Sequence, residues 1–171
     1  RGLGDVYKRQ EDGEFLDQIQ SNLFYALDHA KLTNTDDVVF YSKELFAQKK
    51  YMTRLKEAIR ECVEEDCKGF RIVMQPIVET KSEVCDAAEV LLRFTHPEFG
   101  VIGPMDFIPI LENSKEIIRV GKWVIDQSLQ TLARWREQIG HMPLKRLQIN
   151  VSYVQFKDPE LLGYVAVSYT H

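Results

Sequence analysis

A glutamate and an arginine stand four residues apart in the stretch CDAAEVLLRF, residues 85–94. In an extended strand, alternate residues point to the same face, so Glu89, Leu91 and Arg93 share one face while apolar residues occupy the other. A carboxylate suits a hard divalent cation, and a guanidinium fork suits phosphate oxygens. The same spacing also fits a buried Glu–Arg ion pair that holds neighbouring strands together, so the spacing alone leaves both interpretations open.

Two amide side chains lie in other strand-like stretches. Asn150 falls on the polar face of a strand predicted over 146–152. Because an amide inside a sheet needs hydrogen-bond partners, Asn150 is either a ligand-binding side chain or a member of a satisfied core network. Gln75 precedes Pro76, which cannot donate to a sheet ladder and therefore favours an edge or a bulge. Gln75 accordingly either faces a ligand or caps the end of a strand.

Strands and helices alternate in the part of the chain that carries these residues. Apolar runs or alternation predict strands, and apolar residues three or four apart predict helices. The predicted strands are 38–41, 70–79, 85–94 and 146–152, and the predicted helices are 15–32, roughly 43–68, 104–113 and 114–140, with a loop leading to Pro104. This order favours an α/β layered fold.

Composition excludes several classes of protein. Of the 171 residues, 44% are hydrophobic and 28% are charged, which is typical of a soluble globular chain. A formal net charge of −4 disfavours general binding to DNA, RNA or an anionic membrane surface. No apolar run approaches the roughly 20 residues of a membrane-spanning helix. The three cysteines lack the spacing of a zinc site or a disulfide framework, and we expect reduced thiols.

The two ends of the chain share no apolar period with their neighbours. Back-translated, RGLGDVYKRQ and VSYTH resemble the two strands of a transposase adapter used to prepare sequencing libraries. We therefore expect residues 1–10 and 167–171 to be translated adapter, to pack poorly, and to interrupt a longer natural protein. On this interpretation the basic residues within 1–10 do not form a nucleic-acid-binding arm.

Five motifs occur in order over roughly 70–165: Gln-Pro-Ile, Glu-x-Leu-x-Arg, His-Pro-Glu-x-Gly, Pro-x-x-Phe-Ile-Pro and Asn-x-Ser. Together they resemble the first part of an EAL domain, a family that hydrolyses the bacterial second messenger cyclic di-GMP. The resemblance implies an α/β fold, namely a TIM-like (β/α)8 barrel truncated to its first three strands and their helices, with its site at the C-terminal ends of the strands. Val90 replaces the motif alanine on the face opposite Glu89, where we expect it to be tolerated.

The resemblance also implies roles for individual residues. Glu89 and Asn150 match ligands of the catalytic divalent cations, Mg²⁺ or Mn²⁺. Gln75, Leu91 and Arg93 match residues that bind the nucleotide, with Arg93 on a phosphate and Leu91 lining the pocket. Such cations would activate water for attack on phosphorus and give the linear dinucleotide.

Later EAL motifs, which supply the water-activating and further acidic groups, have no counterpart in residues 11–165. No catalytic residue is therefore assigned within the chain, and we expect the chain alone to be inactive. An incomplete barrel also leaves open strand edges, which favour aggregation.

The segment before the EAL-like part is similar to the C-terminal tail of a GGDEF (diguanylate cyclase) domain. LFYALDHAK and DDVVFY carry this similarity, with Asp28 in place of the usual tyrosine and Asn34 in place of the usual glycine. We therefore predict a GGDEF remnant at 11–42, a linking helix that opens the EAL domain at 43–69, and the N-terminal part of the EAL domain at 70–166.

These resemblances imply a fragment of a bacterial GGDEF–EAL signalling protein whose partner is cyclic di-GMP rather than DNA or RNA. They imply a cytoplasmic location for this portion and leave open a homodimer of the full-length protein, an upstream sensor and a membrane domain. One alternative is a degenerate EAL receptor that binds cyclic di-GMP without hydrolysing it, and another is a structural or protein-interaction role. The presence of both Glu89 and Asn150 favours hydrolysis.

Overall fold

The computed structural model describes residues 19–24, 27, 31, 43–142 and 144–170. The chain divides into two compact units, Arg1–Leu55 and Lys56–His171. In the first unit, residues 19–24 are helical, within the helix predicted over 15–32. The predicted strand at 38–41 and the predicted adapter at 1–10 lie outside the described residues. Among the helices that are described, none is both long enough and apolar enough to cross a membrane.

Helix α1 spans Lys43–Glu64 and is followed by a tight junction. It ends before the predicted residue 68 because Asp66 and Cys67 have positive φ angles of 59° and 58°, which a right-handed helix cannot contain. Gly69 follows with a φ of 82°, and a Cβ atom there would lie 2.5 Å from the carbonyl oxygen of Thr95. The junction therefore requires glycine to bring the chain into the first strand.

Within the described residues, the second unit contains a four-stranded sheet. Its strands are β1 (Phe70–Val78), β2 (Cys85–His96), β3 (Gly100–Ile102) and β4 (Arg146–Ile149). Strand β1 runs antiparallel along one edge of β2, while β3 (antiparallel) and β4 (parallel) pair with the other edge. Strand β3 lies where a loop was predicted, and β4 ends three residues before the predicted end at 152. Strand β2 is thus the centre of the sheet.

Four described helices belong to the second unit: two follow strand β3, and two follow strand β4. They are α2 (Pro104–Ser114), α3 (Ile117–Ile139), α4 (Tyr153–Phe156) and α5 (Leu161–Thr170). Pro104 lies in the first turn of α2, as predicted. Helix α2 contacts β2 and helix α3 contacts β1. Because Phe107 of α2 packs against Phe70 and Phe94, and the alternate β1 residues at 71, 73 and 75 are exposed, both helices lie against the face that carries the two phenylalanines. Helix α5 extends into the segment predicted to be adapter, where Val167 is exposed.

An aromatic cluster forms the core between the sheet and the helices. The rings of Phe70 and Phe94 stack with centroids 4.3 Å apart, and Phe107 of α2 meets each of them edge-on at 5.9 Å. All three side chains are buried, as is Val90 on the same sheet face. The layered α/β architecture predicted from the order of elements is confirmed.

Candidate functional site

The pairing of β1 with β2 defines a second sheet face, directed away from α2 and α3. Directly opposed residues of antiparallel strands share a face. This open face carries, as opposed pairs, Gln75 and Glu89, Val73 and Leu91, and Arg71 and Arg93. The β1 members are exposed and the β2 members are half-buried. The alternation predicted for 85–94 therefore separates an open polar face from the covered apolar one.

Glu89 and Asn150 meet on the open face. The parallel pairing of β2 with β4 sets Gln148 opposite Glu89. Asn150 follows two residues later, just beyond the end of β4, and its Nδ2 donates a hydrogen bond to Oε1 of Glu89 over 2.7 Å. The two residues that the resemblance assigns to the metal thus come together from strands 61 residues apart in sequence.

This hydrogen bond leaves the second carboxylate oxygen of Glu89 and the amide oxygen of Asn150 available. Both are hard oxygen donors, the type preferred by Mg²⁺ and Mn²⁺. Within the described part of the chain, no group of three or more His, Cys, Asp and Glu side chains is placed to hold a metal ion. The pair therefore fits part of an oxygen-ligand cation site, to which further ligands have to be added.

Gln75 lies in the middle of β1, directly opposite Glu89. Its side chain is exposed on the open face, so it does not cap the end of the strand. Pro76 follows it, and the register shifts between Ile77 and Val78, in agreement with the predicted edge or bulge. The amide of Gln75 is thus available to a ligand held at Glu89.

Arg93 lies four residues beyond Glu89, and the half-buried Leu91 separates the two. Nη1 of Arg93 donates to the carbonyl oxygen of Leu92 over 2.9 Å. Neither Glu89 nor Arg93 takes part in an ion pair among the described residues. The structural alternative, a buried Glu89–Arg93 pair, is therefore absent from the sheet described here.

The turn after β4 fixes the position of Asn150. Ser152 caps helix α4: its hydroxyl accepts a hydrogen bond from the backbone of Gln155, and the Gln155 side chain accepts one from the backbone of Ser152 over 2.9 Å. Gln155 is buried against helix α3, where a Cβ atom on Gly121 would lie only 1.7 Å from its Nε2. The Ser-x-x-Gln pattern indicates a capping box in the sequence, but Ser152 was instead included in the strand predicted over 146–152.

A cavity of about 360 Å³ lies beside the site, between β2, β4 and helices α2 and α3. Strand β2 has no strand partner for residues 91–93 on this edge within the described residues, since β4 pairs with 87–90 and β3 with 94–96. Arg93 and Asn150 border the cavity, but its other walls are mostly apolar. A phosphate would be poorly solvated there, so the open face is the better candidate for an anionic ligand.

Comparison with known proteins gives a family match over most of the chain. The model of the EAL domain matches residues 53–170. The chain is 27% identical over 154 residues to the bifunctional diguanylate cyclase/cyclic di-GMP phosphodiesterase MucR of Pseudomonas aeruginosa, covering 90% of this chain and 22% of that protein. It is 34% identical over 94 residues to the cyclic di-GMP phosphodiesterase PA2567 of the same organism, covering 55% of this chain and 16% of that one.

A solved structure agrees with these matches. The PaMucR phosphodiesterase in complex with c-di-GMP superposes with a TM-score of 0.61 at 27% sequence identity, covering 68% of this chain and 46% of that chain. The α/β fold is thus similar to that of an EAL domain structure. The chain spans less than half of this solved chain and about a fifth of the MucR sequence.

Proposed function

This chain belongs to the EAL domain family, and we propose that the protein containing it hydrolyses cyclic di-GMP at the site built around Glu89. One observation carries the proposal: Asn150 donates to Glu89 over 2.7 Å on the same face as Gln75 and Arg93. Further support comes from the relatives PA2567 and MucR, both described as cyclic di-GMP phosphodiesterases.

Each side chain has a distinct part in the proposed reaction. Glu89 and Asn150 would hold Mg²⁺ or Mn²⁺ through their free oxygens, and the hydrogen bond from Asn150 orients the carboxylate. When bound, the cation supplies positive charge at the reacting phosphate and favours the ionisation of water. Arg93 orients a phosphate through its planar fork, Gln75 contacts the nucleotide, and Leu91 provides an apolar contact between them.

The product follows from the covalent structure of the cyclic dinucleotide. Cyclic di-GMP contains two phosphodiester groups, and water replaces one ribose oxygen on one phosphorus atom. A new P–O bond to the water oxygen forms and the P–O bond to one ribose oxygen breaks. The attacking water loses a proton, and the leaving ribose oxygen takes one up to become a hydroxyl group. The product is the linear dinucleotide. The general base for this step is expected outside the present chain.

We also propose that residues 11–42 are the end of a GGDEF domain and that the adapter assignment holds for 1–10 and 167–171. The match to MucR, a bifunctional protein, extends over 90% of the chain and supports a GGDEF segment before the EAL domain. Recovery of the uninterrupted reading frame tests both assignments, since natural sequence at either end would contradict the adapter origin.

Substitution of Glu89 tests the proposed activity. In the full-length protein, Glu89→Gln keeps the shape of the side chain but removes its charge, and we expect cyclic di-GMP turnover in Mg²⁺ or Mn²⁺ to fall by at least about 10²-fold. The melting temperature should hardly change because the site face is open. Glu137→Gln, on the exposed surface of α3, is the matched control. Full activity of Glu89→Gln would refute the assignment.

A second candidate function is a degenerate receptor that binds cyclic di-GMP without hydrolysing it. The observation that favours it is that, within the described residues, no group of three or more His, Cys, Asp and Glu side chains is placed to hold a metal ion. Calorimetry and product analysis on the same full-length protein separate the two candidates. Tight binding with no linear dinucleotide in Mg²⁺ or Mn²⁺ would establish the receptor.

A further inference from the structure

Two arginines face each other on the open face of the sheet. The antiparallel register places the Cα atom of Arg71 on β1 directly opposite that of Arg93 on β2. Side chains in such pairs start about 5 Å apart and project to the same side. Arg71 itself is exposed, and Arg93 is half-buried. The two guanidinium groups therefore share one patch of surface beside the proposed site.

This pairing is unfavourable in the protein alone, because like charges directly opposite each other repel. Among the described residues, neither arginine forms an ion pair, and the carboxylate of Glu89 is engaged by Asn150. Arg146 provides a contrast on β4. Its guanidinium lies 3.9 Å from a carboxylate oxygen of Asp86. Only the Arg71–Arg93 end of the described open face thus has two adjacent cations without an anion.

We propose that Arg71 is a second phosphate-binding side chain that acts together with Arg93 on a phosphodiester group of the ligand. This inference rests on the proposed function and adds a binding residue to it. An anionic phosphate between the two guanidinium groups would remove their repulsion and accept hydrogen bonds from both. Neither the Glu-x-Leu-x-Arg motif nor the Gln-Pro-Ile motif contains Arg71, so the motifs alone do not indicate it.

The position of Arg71 determines which kinetic constant it affects. Arg71 lies four positions along the strand from the level of Glu89, a distance of about 13 Å. At this distance Arg71 contributes to holding the ligand and not to the breaking of the bond at the cation pair. Loss of such an interaction raises KM and leaves kcat unchanged.

The test uses the full-length protein with Arg71→Gln, Arg71→Lys and the matched control Arg146→Gln. We expect Arg71→Gln to raise the KM for cyclic di-GMP about tenfold, leave kcat within twofold, and reduce the dependence of KM on salt concentration. Arg71→Lys should recover part of the affinity because it keeps the charge but loses the fork. Arg146→Gln should stay within twofold of the wild type in KM and kcat. None of the three variants should melt at a lower temperature than the wild type, and Arg71→Gln should melt slightly higher because the repulsion with Arg93 is removed.

Binding measured by calorimetry in the Glu89→Gln background distinguishes this inference from the proposed function. If the wild type hydrolyses cyclic di-GMP and Arg71→Gln changes neither KM nor Kd by more than twofold, the Arg71 inference is wrong and the function stands. If the wild type binds without turnover and Arg71→Gln weakens Kd about tenfold, hydrolysis is wrong and the Arg71 inference stands. If the wild type neither binds nor hydrolyses the nucleotide, both are refuted.

Discussion

The two faces of the central sheet differ in what their side chains contact. Phe94 is fully buried on the covered face and stacks on Phe70. Its neighbour Arg93 points to the open face and bonds only to a backbone carbonyl among the described residues. Adjacent residues of one strand thus divide between packing, for Phe94, and the proposed ligand binding, for Arg93. The alternation allows residues on one face to change without altering the stability provided by the other.

Val90 illustrates this independence. It replaces the motif alanine and is 3% exposed on the covered face, whereas the adjacent Glu89 lies on the open face with its bond to Asn150. The valine side chain is thus packed on the face opposite Glu89, as expected from the alternation, and it lies away from the Glu89–Asn150 pair.

Among substitutions that compare the two sheet faces, Phe94→Ala is expected to have the largest effect on stability. Removing the ring leaves a cavity between Phe70 and Phe107, and we expect the free energy of unfolding to fall by about 4 kcal/mol. Arg93→Ala, one residue away, should change it by less than about 1 kcal/mol. Urea denaturation followed by tryptophan fluorescence provides both values. Equal losses for the two variants would show that the faces are not independent.

A smaller loss of stability is expected at the contact between helix α3 and Gln155, which supports the turn carrying Asn150. In Gly121→Ala the new methyl group collides with the Gln155 amide, and we expect a loss of about 2 kcal/mol in unfolding free energy. Because Gln155 belongs to the cap that positions Asn150, the affinity for Mg²⁺ or Mn²⁺ should also fall. Adding Gln155→Ala should recover part of the stability by making room. Strict additivity in this double-mutant cycle would contradict the packing explanation.

The smallest effect concerns thiol reactivity. Burial raises the pKa of the Cys67 thiol to about 11, whereas Cys85 at the start of β2 is exposed. Because only the thiolate is alkylated, Cys67 should react slowly with iodoacetamide at pH 8, and its rate should rise as the pH approaches 11. Mass spectrometry of the digested protein should find label on Cys85 first. Faster labelling of Cys67 would contradict the described burial.

Several parts of the fold could be predicted from the sequence because a repeated pattern marks them. The period-two alternation through 85–94 predicted which residues of β2 share a face with Glu89. Apolar spacing predicted the long helix that the structure places at Ile117–Ile139. Strand β3 was missed because three residues, Gly100–Ile102, are too few to show a period. Its pairing with the end of β2 depends on tertiary contacts.

The candidate site was only partly predictable from the sequence, because the contacts within it depend on how the strands pair. Glu89 and Asn150 could be selected by residue type and motif, but their 2.7 Å contact depends on the parallel pairing of β2 with β4. The opposition of Arg71 and Arg93 depends on the register between two strands, which no single strand encodes. Ser152 was assigned to a strand because the alternation over 146–152 was given precedence over the Ser-x-x-Gln capping pattern that begins α4.

The direction of β1 has a consequence for how the site can be controlled. Because β1 is antiparallel to β2, the chain enters the sheet at the end where Arg71 and Arg93 lie. Only the short junction that ends at Gly69 connects this end to helix α1, and the carbonyl of Gly69 accepts a hydrogen bond from Thr95 over 3.0 Å. Rotation of α1 would therefore reach the two arginines first. If the two arginines bind the nucleotide as proposed, a signal carried by that helix would have a direct covalent route to them, with Glu89 and Asn150 lying farther along the sheet.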